Sequence, residues 1–238
     1  MSKVVAFAGQ KGGSGKSTAT VLVANKIHHD YDNLNVAIID VDFPQHSIYK
    51  ARQKELERIR QNDRLHKKYK ELTDNRPPYS IYATDLKNCA AKIREIKNQY
   101  DLIFIDPPGT LNQEGIEDTI GEINHFFIPI MQDNYSIMSS IELYSILVTQ
   151  VQPNSPNFSS CHLFFNRVPA NNQVAHIRKE LGDRIPFMQE QISAYTIYER
   201  AYRNTLLPIP EGKKESIALS RFTNAFAQCL NISQPSVA

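Results

Sequence analysis

Uninterrupted apolar runs alternate with longer stretches of mixed character along the whole chain. Residues 4–8, 36–39, 102–105, 126–130 and 163–165 are continuous apolar segments, the pattern of strands buried on both faces. Between them, residues 17–29, 86–98, 140–151 and 173–181 have the length and spacing of helices. This order predicts an α/β fold: a mostly parallel, twisted sheet with helices on both faces, joined by right-handed crossovers. Ligand sites in such sheets lie outside the carboxyl ends of the strands. The strongest breaks fall at residues 74–78 and 152–160, but the alternation resumes after each. Residues 1–238 are therefore expected to form a single domain, with a polar tail over residues 231–238.

Composition narrows the class only a little. Apolar residues make up 41% and charged residues 22%, and the net charge is +2, all ordinary for a packed globular protein. Cys89, Cys161 and Cys229 are too far apart for a metal-ligand motif and read as reduced thiols. The chain enters its first apolar run directly after Lys3, without a signal-peptide pattern, and holds no run long enough to cross a bilayer. A cytoplasmic location, without stable membrane insertion, is expected.

The chemistry is concentrated at the end of the first strand. Lys11, Gly12, Gly13, Ser14, Gly15, Lys16, Ser17 and Thr18 lie between an apolar run and a helical pattern, the setting a phosphate-binding loop requires. Glycines let successive backbone N–H groups turn toward anionic oxygens, and the following helix adds its positive end. Lys16 can reach the terminal phosphates of ATP, and the Ser17 hydroxyl can bind Mg²⁺. A second apolar run delivers Asp106 to the carboxyl edge, where a carboxylate can hold Mg²⁺ through its water shell. Taken alone, Asp106 reads more readily as a strand-end turn residue; together with the loop, the cation-holding role is the better reading.

The strict phosphate-loop pattern has a glycine where this chain has Gln10. With that departure and the added Lys11, the loop from Gln10 to Thr18 resembles the deviant Walker A motif of the ParA/MinD ATPases, and its ParA branch in particular. Asp40, Val41, Asp42, Phe43, Pro44 and Gln45 resemble that family's second motif, with Phe43 as an extra residue. The strand ending in Asp106, Pro107, Pro108 and Gly109 resembles its Walker B strand and switch loop. The stretches 42–48 and 108–112 are similar to a ParA-like subgroup carried by conjugative transposons. The resemblance implies a P-loop NTPase fold, slow ATP hydrolysis and an ATP-dependent homodimer in which Lys11 reaches the partner's phosphates. It implies that Asp42 orients the attacking water, that Asp40 supports the Mg²⁺ shell, and that Asn166 recognises adenine. Asn166 is also a plausible turn or capping residue.

Outside the loop, residues 50–70, from Lys50 to Lys70, hold nine Lys or Arg against three acids. The pattern fits one or two helices broken near Asn62 and Asp63, presenting either an ordinary solvated face or a surface for non-specific DNA and a nucleoid association. A ParB-like protein or a conjugation apparatus is the expected partner of a DNA-partitioning or transfer switch. Two alternatives share the fold: a membrane-cycling, MinD-like positioning ATPase, and a ligase resembling dethiobiotin synthetase. The segment 215–230 is amphipathic but carries little positive charge, which suits core packing better than a lipid interface.

Overall fold

The computed structural model describes residues 2–10, 12–108, 114–182, 185–201 and 204–233. Its centre is a six-stranded sheet of β1 (Lys3–Phe7), β2 (Val36–Asp40), β3 (Ser80–Ala83), β4 (Leu102–Asp106), β5 (His125–Ile130) and β6 (Ser160–Phe165). The strand order is β3-β2-β4-β1-β5-β6, and every pairing is parallel. The expected α/β architecture is the observed one.

Side chains alternate between two cores, one on each face. Val5, Phe7, Ile38, Phe104, Phe127 and Phe164 belong to the first. It is closed by α1 (Lys16–Asp30) and by α9 (Lys214–Cys229), whose Phe226 ring lies 4.5 Å from that of Phe127. Val4, Ala6, Ile39, Ile105, Ile128 and Phe165 face the second. It is covered by α4 (Leu86–Ile96), α5 (Ile116–Glu122), α6 (Asn134–Ile146) and α7 (Val174–Leu181). The neighbours β1 and β4 thus send their following helices, α1 and α5, to opposite faces. That divergence opens a crevice at their carboxyl ends.

Two helices, α2 (Ser47–Arg60) and α3 (Asp63–Thr73), connect β2 to β3. The break between them falls where the sequence predicts it, and the Asn62 side chain accepts the Leu65 N–H to start α3. A short helix α8 (Thr196–Ala201) precedes α9. The helix expected over residues 140–151 begins earlier, because the Asp133 carboxylate caps it through the Ser136 N–H. It ends in a π-helical turn, Leu147–Val151.

Candidate nucleotide site

The phosphate loop spans the gap between β1 and α1. Gly13 and Gly15 have φ of 82° and 87°, the left-handed region in which an L side chain is strained. Gly15 is excluded from carrying a side chain for a second reason: a Cβ there would stand 2.4 Å from Asn166 Nδ2. The Asn166 amide spans loop and strand end, donating to the Ser14 carbonyl at 2.7 Å and accepting the Arg167 N–H at 2.9 Å. With Asn166 itself buried, this side chain braces the loop. Asn166, for which the family resemblance implies a role at adenine, makes these two contacts within the protein.

A cleft of about 240 Å³ opens over the loop, lined by Gly13, Gly15, Lys16, Ser17, Thr18, Ser47 and Arg167. Beside it, Asn166, Arg167, Ile192, Ala194, Tyr195 and Tyr198 line a narrow apolar recess next to Gly15 and Thr18. Arg167, Ser47 and this aromatic recess were not identified from the sequence. Only the position of Arg167, beside Asn166 at a strand end, could have signalled any of them.

The acidic residues come together from adjacent strands. Asp40 and Asp106 are register partners at the ends of β2 and β4, and both are wholly buried. Their environments differ. One Asp40 oxygen accepts the Ile48 and Tyr49 N–H groups at 2.9 and 3.0 Å, and the other accepts the Asp42 N–H at 3.3 Å. Asp40 therefore caps α2 from seven residues before its start. Neither Asp106 oxygen accepts a hydrogen bond of good geometry among the described residues. Burial pushes the Asp106 pKa up to about 7; the nearby Ser17 hydroxyl and Lys16 oppose that shift, while Asp40 and Asp42 add to it. Burial lowers the Lys16 pKa, opposed by Asp106 and then Asp42. Lys16, Ser17, Asp42 and Asp106 thus act on one another electrostatically at the mouth of the crevice.

A family model described as ATPase MipZ matches residues 3–136, more than half of the chain. The chain belongs to this family of ParA/MinD-type ATPases. None of the curated proteins compared with it matches. Among solved structures, this MipZ-family chain resembles a plasmid partition protein from Borrelia burgdorferi bound to AMPPNP, at 18% identity and a TM-score of 0.65 over 96% of this chain and 100% of that one. A ParA family ATPase from Chlorobium tepidum aligns at 14% identity and a TM-score of 0.67, over 94% and 99%. MinD of Aquifex aeolicus, in its complex with MinC, aligns at 17% and 0.65, over 100% and 99%. At these identities the likeness speaks for the fold.

Of the residues singled out in this MipZ-family sequence, Gln10, Gly12, Gly13, Ser14, Gly15, Lys16, Ser17 and Thr18 lie in the loop or the first turn of α1. Lys11 lies outside the described residues, as do Gly109 and the stretch 110–112. The chemistry at the crevice fits a nucleotide with a divalent cation. Among the described residues the buried Asp106 carboxylate accepts no hydrogen bond of good geometry, and the buried Ser14 hydroxyl has no partner. Among the described residues no group of three or more His, Cys, Asp or Glu could hold a metal alone, so Mg²⁺ would arrive with phosphate oxygens as ligands.

Proposed function

We propose that this chain binds ATP with Mg²⁺ at the phosphate loop, dimerises on it, hydrolyses it slowly, and so acts as a switch in partitioning or transferring DNA. The DNA would be a plasmid or mobile element, and the further partner a ParB-like protein or a conjugation apparatus. The 238 residues would work as one ParA-like unit. The observation that carries the reading is the buried, hydrogen-bond-poor carboxylate of Asp106 set against Ser17 and Lys16 beneath a glycine loop.

In the proposed reaction the backbone N–H groups of the loop and the Lys16 ammonium offset charge on the phosphates. The Ser17 hydroxyl and Asp106, through water, would hold Mg²⁺, which when bound offsets charge on the phosphate oxygens. Asp42 would orient the attacking water, and Lys11 of a second copy would complete the charge balance. Asp40, as the cap of α2, would support the cation shell through the position of its strand. The base would enter the recess of Ile192, Tyr195 and Tyr198, with Asn166 holding its edge and the loop together.

Exposed apolar side chains support the dimer. Phe43, 66% exposed, follows β2, while Tyr135 and Met138, 83% and 68% exposed, follow β5. With β4 and β1 lying between those strands, the three flank the loop on both sides, a rim suited to cover by a second copy. The membrane-cycling alternative lacks such support. Leu219, Phe222 and Phe226, the apolar stripe of α9, are packed in the core and not open to lipid. No helix among the described residues is long and apolar enough to cross a membrane.

Calorimetric titration with AMPPNP tests the site. Binding is expected to need Mg²⁺ and to weaken at least about 100-fold in Lys16→Ala, as loss of a charge-assisted phosphate contact demands. Asp42→Ala should bind normally yet release phosphate from ATP at least about 100-fold more slowly. Equal binding by wild type and Lys16→Ala would reject the assignment.

A further inference from the structure

The outer face of α2 and α3 carries charge that the nucleotide site does not use. Residues 50–70 hold nine cations and three acids, 9 − 3 = +6, while the whole chain carries +2, leaving −4 elsewhere. The fold sorts these twelve charges. Arg52 and Glu55 turn inward and are buried. Lys50, Lys54, Arg58, Arg60, Arg64, Lys67, Lys68 and Lys70 are exposed, as are Glu57 and Asp63, so the surface balance is 8 − 2 = +6.

Few of these cations are engaged. Lys50 donates to the Pro44 carbonyl, Arg58 leans on Asn204 and Glu55, and Lys67 stands 3.9 Å from Glu71. The side chains of Lys54, Arg60, Arg64, Lys68 and Lys70 make no hydrogen bond or ion pair with a described residue. Lys50, Lys54 and Arg58 recur every fourth residue, about 6 Å apart along the helix. Lys50 and Lys54 lie away from the buried stripe of Ile48, Arg52, Glu55 and Ile59, and Arg58 flanks it.

The scaffold holding them is fixed at several points. Asp40 caps the start of α2. Arg52 donates to Thr205 Oγ1 at 2.7 Å, to the Thr205 carbonyl at 3.0 Å and to the Tyr79 carbonyl at 2.6 Å. Glu55 accepts the Thr205 and Leu206 N–H groups. Lys50, Lys54, Arg58 and Arg60 therefore ride on a helix, α2, that needs no ordering before it binds.

We propose that the α2–α3 pair binds the phosphate backbone of duplex DNA through this face, without reading base sequence. The inference rests on the reading of the chain as a DNA-handling switch and adds the surface to it. A lipid surface fits less well, because an interfacial helix needs a continuous apolar face. The only large apolar side chains well exposed here, Tyr49 and Leu72, lie at opposite ends of the pair. Because α2 starts on Asp40, the DNA face is joined directly to the edge of the nucleotide crevice.

If the five unengaged cations each neutralise one phosphate, log K should fall against log salt with a slope of about −4 to −5, or about 500-fold for a fourfold rise in salt. Fluorescence anisotropy of a labelled duplex of arbitrary sequence, with AMPPNP·Mg²⁺ and in parallel with acidic-lipid vesicles, measures this. The variant Lys54→Glu, Arg60→Glu, Arg64→Glu, Lys68→Glu should lose at least about 100-fold in affinity and most of the salt slope. Matched Gln substitutions should lose less, and Lys97→Glu with Lys179→Glu should lose little. Wild-type affinity in the fourfold variant overturns the proposal, as does a wild type that binds nucleotide and vesicles but no duplex. Duplex binding that disappears in the fourfold variant, by a wild type that binds no nucleotide, would support this surface while rejecting the proposed ATP switch.

Discussion

Replacing Asp106 with Asn should stabilise the nucleotide-free protein at high pH while impairing Mg²⁺-dependent nucleotide binding. Asp106 is wholly buried and accepts no hydrogen bond of good geometry from a described residue, so ionising it costs free energy that Asn does not incur. Its pKa rises from 3.8 to about 7 on folding. Between those values the folded state holds more protons than the unfolded chain, so stability falls as pH rises through the window. From that span the wild type pays about 4 kcal/mol at pH 8 but only about 2 kcal/mol at pH 5. The advantage of Asp106→Asn should therefore grow by about 2–3 kcal/mol from pH 5 to pH 8, or about 5–10 °C in Tm for a chain of this length. Thermal unfolding of both proteins at the two pH values, with chelator present, reads this directly. Wild-type AMPPNP·Mg²⁺ affinity should rise through pH 7 as the carboxylate ionises, and Asp106→Asn should lack that dependence. A Tm difference that is the same at pH 5 and pH 8 would refute the reasoning.

Gly15→Ala should abolish AMPPNP binding in calorimetry while the far-UV spectrum stays native, since its Cβ would collide with the Asn166 amide at a positive φ; retained binding would show that the loop tolerates displacement. Glu55→Ala should destabilise the fold by about 3 kcal/mol or more, about 6–12 °C in Tm, because the buried N–H groups of Thr205 and Leu206 lose their acceptor. Glu55→Gln keeps an acceptor and should lose less in the same thermal scan.

Five of the six strands are legible because their segments are buried on both faces and so read as unbroken apolar runs. The exception, Ser80–Ala83, is a four-residue, half-exposed edge strand whose composition carries no such signal. The phosphate loop is legible because its chemistry is local: glycines, a lysine and a hydroxyl within nine residues. Asn166 and Asp40 are harder to read, since their partners are set by the fold. Asn166 reaches a carbonyl 152 residues away, and Asp40 caps a helix that starts beyond an intervening turn. Arg52 and Glu55 count as surface charge in the sequence, yet they bind Thr205, 153 and 150 residues further on. Their spacing with Ile48 and Ile59 marks the inward stripe of a helix, and that periodicity was the available clue.

One loop is proposed to serve both nucleotide binding and dimerisation. Light scattering during size exclusion of wild type and Lys11→Ala, each with and without AMPPNP·Mg²⁺, tests it most directly. The wild type is expected to double in mass only with nucleotide, and Lys11→Ala not at all. A mass that ignores nucleotide, or a Lys11→Ala protein that dimerises like the wild type, would contradict it.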